Sequence, residues 1–460
     1  MISAARLFAG QRLMGAGPDA FTGIARDSRQ VRPGNAYVAL GQPSERLAHI
    51  AEARQRGATA IVGPHGSGAD LIASDARWCF ARASAAFHGL DEGRLPVVGT
   101  TGTKGKSTVT QLVWWCLGTG AARTGTIGWH DGVSERTNAQ TTPPPEELHA
   151  FLAALPPTCP GVALEVSSHG ADQHRLAGVP LAALAVTGLG RDHLDYHGTF
   201  GAYLAAKLRA CALVKPGGLV ILNADDEHAG AFALAAQGRR VRYLGRDHGL
   251  VQQVDGWRLD GRPLPTPLAG DFNAWNAAAA VLLAEELGVP REVACARLAT
   301  CPGVPGRCER LAEAPTTYVD YAHTQESISR IIEAVRGLHP GAPLAIVFGC
   351  GGDRDPGKRT PMGAAASAAD VVVITTDNSR REAPSVIAAA IRAGVTPGRR
   401  VVEEPDRATA IRAARAAVGP AGVVIVAGKG HETTQDIGGV VLPWDDRAFV
   451  RSLSPLGVTP

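Results

Sequence analysis

The chain has 460 residues, of which 45% are hydrophobic and 19% charged, and its formal net charge is +3. This length predicts several domains with sizeable cores, and the interspersed charges exclude the basic surface of a nucleic-acid-binding or membrane-surface protein. The eight cysteines are scattered without a CxxC pair, which favours reduced thiols in a cytoplasm over a disulfide framework or a zinc site. No apolar run in the sequence reaches the length of a membrane span.

Short apolar runs alternate with amphipathic helical stretches along most of the chain. This is the pattern of a mostly parallel β-sheet covered by helices, so we predict an α/β fold. We predict three domains, which span residues 1–88, 89–302 and 303–460. The segment Cys301–Gly306 is rich in proline and glycine and marks the joint before the last domain.

The positions of the apolar runs predict the strands. The first domain has strands at Ala36–Leu40 and Ala58–Val62, with a helix near Ile50–Gln55. The second has strands at Pro96–Gly99, Val162–Val166, Ala183–Thr187, Gly218–Asn223 and Arg240–Leu244, and an inserted hairpin within Leu250–Pro267. The third has strands at Thr317–Asp320, Leu344–Phe348, Val371–Thr375 and Val423–Ala427.

A glycine-rich turn follows the first strand of the central domain. Residues Gly102–Gly105 lead into a predicted helix at Val109–Leu117, so backbone N–H groups and a helix N-terminus converge as in a phosphate-binding loop. Lys106 is placed to reach the β- and γ-phosphates of a nucleotide, and the Ser107 hydroxyl to bind Mg²⁺. Thr100 stands where the strict Walker pattern has glycine, and a plain strand-to-helix turn is the alternative. The loop alone is compatible with a kinase, a GTPase or a ligase.

Two further strand ends carry polar side chains that suit a metal ion. Glu165 lies at the end of one predicted strand, and His193 follows the end of another. The carboxyl ends of parallel strands meet at the edge of the sheet where ligands bind, so both are candidates to complete a magnesium shell at the phosphates. A buried structural glutamate and a surface histidine are the alternatives. Lys207 lies on a predicted helix, where a lone lysine is ordinarily solvated.

Several ordered motifs resemble those of the Mur ligases, most closely the UDP-N-acetylmuramoyl-tripeptide synthetases (MurE type). The motifs are colinear over nearly the whole chain, at Asp27–Arg29, Thr101–Thr108, Glu165–Arg175, Arg191–Gly198, Asp320–Thr324, Phe348–Arg359, Asp377–Pro384 and Gly428–Glu432. The resemblance implies a small nucleotide-sugar domain, a central P-loop ATPase domain with a mostly parallel sheet, and a Rossmann-like C-terminal amino-acid domain. We expect a cytoplasmic monomer that acts on small molecules, with no nucleic-acid or membrane partner.

The resemblance also implies a reaction, namely ATP-dependent amide formation through an acyl-phosphate. It implies ATP and two Mg²⁺ ions, with magnesium ligands at Ser107, Glu165, His193 and a carbamylated Lys207. Nucleotide contacts are implied for Gly102, Thr103, Lys104, Gly105, Lys106, Ser107, Thr108, Asn273, Asn276 and Arg307. Catalytic roles are implied for Lys106, His193, Lys207, Asp320 and His323. For Asn273 a helix N-cap is the alternative.

The two substrates are implied in the same way. The groups that hold a UDP-muramoyl peptide are matched by Ser28, Thr141, Thr142, Ser167, Gln173 and Arg175. The groups that hold diaminopimelate are matched by Arg354, Asp377, Asn378, Arg380, Gly428 and Glu432. A guanidinium at Arg380 can pair with the distal carboxylate that meso-diaminopimelate has and lysine lacks, although a surface arginine is the alternative. We therefore expect addition of meso-diaminopimelate to UDP-N-acetylmuramoyl-dipeptide in peptidoglycan precursor synthesis.

Some positions depart from the family pattern. Ser379 and Gln325 replace prolines, Lys104 replaces an asparagine of the loop, and the runs Glu45–His49 and Thr187–Gly190 differ from the usual ones. A related ligase of a specialised pathway, acting on a different carboxylate and amine, is therefore a second hypothesis. A P-loop kinase and a catalytically silent binding protein are two further hypotheses.

Overall fold

The computed structural model describes residues 1–10, 13–15, 17–137, 140–268 and 270–456. The chain divides into two compact units, Met1–Pro265 with Trp275–Cys301 and Thr266–Ala274 with Pro302–Pro460. Both units combine helices with mostly parallel sheets, so the predicted α/β class is confirmed. Apart from residues 266–274 and 302, the first two predicted domains fall in one unit, and the division into three domains stays a prediction.

The N-terminal part of the first unit has a five-stranded sheet, a separate two-stranded sheet and flanking helices. Its strands are β1 (Ile2–Ser3), β2 (Leu13–Met14), β3 (Ala20–Phe21), β4 (Gly23–Ala25), β5 (Asn35–Val38), β6 (Ala60–Gly63) and β7 (Leu71–Ala73). Its helices are α1 (Ala4–Leu7), α2 (Pro43–Gln55) and α3 (Ala76–Phe87). Strands β4 to β7 are parallel and β2 pairs antiparallel with β7. Helix α2 is longer than predicted, because Pro43 at its first position and Glu45 in its first turn favour an earlier start.

The rest of the first unit is built on an eight-stranded sheet of order β11-β10-β9-β12-β8-β13-β14-β15. Its strands are β8 (Val97–Thr101), β9 (Ala122–Gly125), β10 (Gly128–His130), β11 (Glu135–Arg136), β12 (Val162–Glu165), β13 (Leu181–Val186), β14 (Val214–Asn223) and β15 (Arg240–Leu244). A separate antiparallel sheet consists of β16 (Leu250–Gln253), β17 (Gly256–Leu259) and β18 (Arg262–Leu264), so the predicted hairpin has one strand more than expected. The helices are α4 (Lys106–Leu117), α5 (Pro145–Ala154), α6 (Ser168–Asp172), α7 (Leu194–His197), α8 (Phe200–Leu208), α9 (Ala229–Ala235), α10 (Asp271–Glu286), which crosses into the second unit, and α11 (Arg291–Ala299).

The central strands of this sheet place their ends side by side. Every residue of β8, β12 and β13 is buried, as expected for parallel strands covered on both faces. Glu165 pairs with Thr100, and Val186 pairs with Thr101. The loops that follow these strands therefore leave the same edge of the sheet, which is where ligands bind in open α/β sheets.

The second unit contains a six-stranded sheet of order β19-β20-β24-β21-β22-β23, in which β19 is antiparallel to its neighbour. The strands are β19 (Glu309–Ala312), β20 (Thr316–Asp320), β21 (Leu344–Phe348), β22 (Val371–Ile374), β23 (Arg400–Glu403) and β24 (Val423–Ala427), with a hairpin of β25 (Thr434–Ile437) and β26 (Val440–Pro443). The helices are α12 (Gln325–Leu338), α13 (Arg359–Ala366), α14 (Pro384–Arg392), α15 (Arg407–Val418) and α16 (Asp446–Arg451), with a 3₁₀ turn at Pro356–Lys358. In the first unit, 3₁₀ turns lie at Ser28–Gln30 and Arg209–Leu213. None of the helices in the described ranges is both long and apolar enough to cross a membrane.

His149 is a fully buried histidine on α5. Neither ring nitrogen has a hydrogen-bond partner among the described residues. Burial, with a smaller contribution from the charge of His88, lowers the pKa of His149 from 6.5 to about 3. The folded protein therefore holds this ring neutral at pH values where an unfolded chain would protonate it.

We expect this histidine to destabilise the protein in mild acid. Below pH 6.5 the unfolded chain binds a proton at His149 that the folded chain does not bind, so the free energy of unfolding falls as the pH drops toward 3. The loss amounts to about 2 kcal/mol by pH 5. Denaturant unfolding at pH 7 and pH 5 should show a smaller pH difference for His149→Leu than for the wild type. The control His65→Leu, at an exposed histidine, should behave as the wild type. An equal pH difference in all three proteins would contradict the prediction.

Candidate nucleotide and amino-acid sites

The phosphate loop lies between β8 and α4. Gly102 has a φ of 139°, and a Cβ there would lie 2.0 Å from the Thr187 Oγ1. Gly105 has a φ of 86°, and a Cβ there would lie 3.0 Å from the Asn276 Oδ1. Only glycine suits both positions, because L-residues rarely adopt these φ values and neighbouring atoms fill the space. Helix α4 begins at Lys106, earlier than predicted, so Ser107 is in its first turn, where backbone N–H groups lack helical partners. The loop fits a phosphate group.

Lys106 folds back over the loop that precedes its own helix. Its Nζ donates to the carbonyl oxygens of Gly102 and Thr103, both at 3.0 Å. The other predicted loop residues, Lys104 and Thr108, flank it on the loop and on α4. The cation is thereby held at the turn where the sequence predicts phosphate.

Lys207 also donates to the carbonyl oxygen of Gly102, at 2.7 Å. Its side chain is 1% exposed, so the expectation for a lone lysine on a helix, that it is solvated, is wrong here. Burial, and then the charge of Lys106, lower the pKa of the Lys207 amine well below its ordinary value. Two amines that the sequence separates by a hundred residues thus meet at one oxygen of the phosphate loop.

Tyr203 packs beside Lys207, and the sequence did not single it out as a site residue. The Lys207 Nζ lies 5.1 Å from the centre of the Tyr203 ring, and the Tyr203 hydroxyl is 2.8 Å from the Thr103 Oγ1. The available signal was the spacing of four residues on α8, which places both side chains on one helix face.

His193 lies near the two lysines. Burial lowers the pKa of its imidazole, opposed by the charge of Asp192 and reinforced by the charges of Lys106 and Lys207. The His193 side chain is still 47% exposed, and its ring centre lies 5.0 Å from that of His169 and 6.3 Å from that of Tyr203. His193 therefore lies beside Tyr203, whose hydroxyl contacts Thr103 of the phosphate loop, and its role as a magnesium ligand stays a prediction.

Glu165 is buried at the end of β12 and contacts Thr126 with both oxygens. Its Oε1 accepts from the Thr126 N–H at 2.8 Å, and its Oε2 accepts from the Thr126 hydroxyl at 3.0 Å. No three side chains of His, Cys, Asp or Glu in the described ranges are grouped so as to hold a metal ion. The Glu165 carboxylate and the Ser107 hydroxyl still offer the oxygen ligands that Mg²⁺ prefers, provided that phosphate oxygens supply further ligands. The residues therefore fit a magnesium ion that binds together with phosphate.

Four of the six residues predicted to hold the UDP-linked substrate, namely Thr142, Ser167, Gln173 and Arg175, form one hydrogen-bonded network. Arg175 donates to the Thr142 carbonyl and to the Gln173 Oε1, the latter at 2.8 Å. The Thr142 hydroxyl donates to the Glu165 carbonyl at 2.7 Å and accepts from the Ser167 N–H at 2.9 Å, which ties the network to β12. The Thr141 hydroxyl, also in the predicted set, lies 3.0 Å from the Thr126 hydroxyl. The Ser28 hydroxyl lies outside this network and donates to Glu52 at 2.6 Å.

The predicted amino-acid residues also converge, in the second unit. The Asn378 Nδ2 donates to the Glu432 Oε2 at 2.9 Å. The Arg380 guanidinium donates to the Gly352 carbonyl at 2.7 Å, so Arg380 is held in the site and is not a free surface side chain. Gly428 has a φ of 107°, and a Cβ there would lie 2.5 Å from the Asp377 Oδ2. Arg354 is exposed and lies on the same side of Gly351 as Arg380. A Cβ on Gly351 would be 3.9 Å from the Arg354 Cγ and 3.0 Å from the Arg380 Nη1.

A third group surrounds the end of β20. The Asp320 carboxylate accepts from the N–H groups of Cys308 and Ala322, both at 2.7 Å. The Arg307 guanidinium lies 4.4 Å from the Tyr321 ring centre, and the His323 Nδ1 lies 2.7 Å from the Tyr321 carbonyl oxygen. Asp320 therefore orders the loop that carries Arg307.

Two positions bear on interpretations made from the sequence. Asn273 lies inside α10, which begins at Asp271, so the N-cap interpretation is wrong. Gln325 is the first residue of α12. It lies between Thr324 and Ser327, which form a reciprocal capping box. Proline is also favoured at the first position of a helix, so the replacement by glutamine keeps the same helix start.

The matches to family models cover two parts of the chain. Residues 100–284 match the Mur ligase middle domain, and residues 306–430 match the glutamate ligase domain of Mur ligases. The chain is 41% identical over 462 residues to the UDP-N-acetylmuramoyl-L-alanyl-D-glutamate–2,6-diaminopimelate ligase of Rhizobium meliloti (strain 1021), covering 93% of each protein. It is 40% identical to the ligase of the same name from Brucella melitensis biotype 1, covering 95% of this chain and 94% of the relative.

Solved structures give the same result. A UDP-N-acetylmuramoyl-L-alanyl-D-glutamate–2,6-diaminopimelate ligase superposes with a TM-score of 0.66 at 30% identity and covers 94% of both chains. The MurF ligase of Thermotoga maritima in complex with ADP has a TM-score of 0.56 at 18% identity, covering 88% of this chain and 93% of that one. This second similarity concerns the fold alone.

Proposed function

The chain belongs to the Mur ligase family of ATP-dependent amide ligases, and from this premise we propose that it adds 2,6-diaminopimelate to UDP-N-acetylmuramoyl-L-alanyl-D-glutamate in peptidoglycan synthesis. The observation that carries the proposal is the meeting of Lys106 and Lys207 at the carbonyl oxygen of Gly102. The Lys106 ammonium suits the charge of a nucleoside triphosphate, and the lowered pKa of Lys207 favours the neutral amine that carbamylation requires.

The chemistry of the proposed reaction has two steps. In the first, an oxygen of the substrate carboxylate attacks the γ-phosphorus of ATP and the bond from that phosphorus to the β–γ bridging oxygen breaks. ADP is released and an acyl-phosphate is formed. In the second, the neutral amine of the amino acid attacks the carbonyl carbon, the bond to phosphate breaks, and the nitrogen loses a proton. Lys106 stabilises the negative charge that develops on the transferred phosphoryl group.

Magnesium has a place in this proposal beside the phosphate loop. Ser107, Glu165 and His193 would hold it, and bound Mg²⁺ supplies positive charge that neutralises the phosphates. Lys207 is buried against the loop, and carbamylation would turn its amine into an oxygen ligand for a second ion. We also propose that the protein is a cytoplasmic monomer, as expected for a ligase that acts on small molecules.

The test is a screen of acid and amine pairs for phosphate release from ATP. Release should require both the UDP-linked dipeptide and an amine, and meso-diaminopimelate should be preferred to lysine. Release without any amine would indicate a kinase, and no release with any pair would indicate a silent binding protein. Turnover only with another acid or amine would transfer the assignment to a specialised ligase, for which the replacement of proline by Ser379 is the motivating observation.

A further inference from the structure

Lys429 is a fully buried lysine within the amino-acid site, and no role was predicted for it. It follows Gly428 after the end of β24, and its side chain is 0% exposed. An ammonium group removed from water in this way is tolerated only when carboxylates and hydrogen bonds compensate for the lost hydration. Its partners therefore indicate what the residue does.

The three side-chain partners that Lys429 has among the described residues belong to the predicted amino-acid set. The Lys429 Nζ lies 2.9 Å from the Glu432 Oε2 and 3.1 Å from the Asn378 Oδ1. It lies 3.8 Å from the Asp377 Oδ1. The lysine thus contacts these residues from the buried side, and of its two carboxylate partners Glu432 has the more exposed side chain, at 29%.

These contacts fix the orientation of the Asn378 amide. The Asn378 Oδ1 accepts from Lys429 and from the Asp436 N–H, the latter at 3.0 Å. The Asn378 Nδ2 must then face the opposite way, and it donates to the Glu432 Oε2 at 2.9 Å. An amide turned by 180° would place its NH₂ group against the Lys429 ammonium, where two donors would face each other.

The same contacts leave one oxygen of Glu432 available. Its Oε2 accepts from both Lys429 and Asn378, whereas its Oε1 has no hydrogen-bond partner in the described part of the chain. The Glu432 side chain is 29% exposed. Two carboxylates, Asp377 and Glu432, face the single ammonium of Lys429, and the nearby Arg407 is paired with Asp446, so one carboxylate charge is left over. One further ammonium group would balance it.

We propose that Lys429 is a positioning residue that directs the Glu432 Oε1 toward the ammonium group of the incoming amino acid that does not react. This inference rests on the proposed function, because diaminopimelate carries a second amine beside its second carboxylate. Arg380 donates through its guanidinium to Gly352 and through its backbone N–H to Asp436, the residue that also binds Asn378. The site therefore pairs a carboxylate for the second ammonium with a guanidinium for the second carboxylate.

The test compares diaminopimelate with 2-aminopimelate, which has the same chain and both carboxylates but lacks the second amine. The wild type should prefer diaminopimelate in kcat/KM. In Lys429→Met this preference should be lost, through a rise of roughly 30-fold or more in the KM for diaminopimelate. The KM for ATP and the preference for diaminopimelate over lysine, which depends on the second carboxylate, should be retained. Lys215→Met, at an exposed lysine of the first unit, is the control for the substitution itself.

Glu432→Gln provides a second variant if Lys429→Met does not fold. It keeps the shape of the partly exposed side chain and should lose the same preference on its own. Adding Lys429→Met to Glu432→Gln should change the preference no further, because the lysine acts through that carboxylate. Turnover by the wild type with an unchanged preference in the folded variants would overturn this inference alone. No turnover of diaminopimelate by the wild type would overturn the proposed function and this inference with it.

Discussion

Replacing Lys106 with alanine is expected to lower ATP-dependent phosphate release by roughly 10³-fold or more, because it removes a cation from the phosphate loop. The Lys106 Nζ lies 3.0 Å from two carbonyl oxygens of that loop, which hold it at the phosphate position. Alanine is a good helix former at the start of α4, and the fold should be retained. Steady-state phosphate release with saturating acid and amine measures the effect.

The control for this variant is Lys215→Ala. Lys215 is exposed on β14 and should tolerate the change without loss of turnover. Unfolding curves of both variants should coincide with that of the wild type. Turnover of Lys106→Ala within tenfold of the wild type would remove the phosphate-loop argument, because a folded loop without its cation would then suffice.

Most strands that are buried apolar runs could be predicted from the sequence, whereas β9 (Ala122–Gly125), which is buried but carries arginine, threonine and glycine, was missed. Leu344–Phe348 and Val423–Ala427 were predicted with their observed limits, because each is a short apolar run between turn residues. The limits of Arg240–Leu244, an edge strand in which apolar and polar residues alternate, were also predicted correctly. Strand β23 (Arg400–Glu403) was missed, since it lies at the edge of its sheet and carries charged residues at both ends. Strand β10 was missed because it is a short antiparallel addition to a parallel sheet.

The site could be predicted where a motif names the residue, and not where tertiary contacts decide. Lys207 and Arg380 were chosen by their motifs, yet the burial of the first and the backbone contacts of the second depend on residues far away in the chain. Lys429 lies between two glycines, in a run that reads as a surface turn. Its burial results from Asp377, Asn378 and Glu432 closing around it, which local sequence does not reveal.

Replacing Arg380 with alanine is expected to raise the KM for the amino acid by a factor that corresponds to about 2–4 kcal/mol of lost pairing energy. The reason is that the guanidinium supplies the charge for the second carboxylate of the substrate. Arg380 has a φ of 51°, a conformation that costs alanine about as much as arginine, so the backbone strain is the same in both proteins. Glycine would relieve that strain and is a less suitable replacement.

The neighbouring Arg381→Ala is a matched control, because Arg381 is exposed and its backbone N–H, not its side chain, contacts Asp353. Arg380→Ala should abolish the preference for diaminopimelate over lysine and keep the preference for diaminopimelate over 2-aminopimelate. This is the reverse of the result expected for Lys429→Met, so the two variants separate recognition of the second carboxylate from recognition of the second amine. A KM that Arg380→Ala leaves unchanged would mean that the guanidinium only holds the Gly352 carbonyl, and the carboxylate would have to be bound elsewhere.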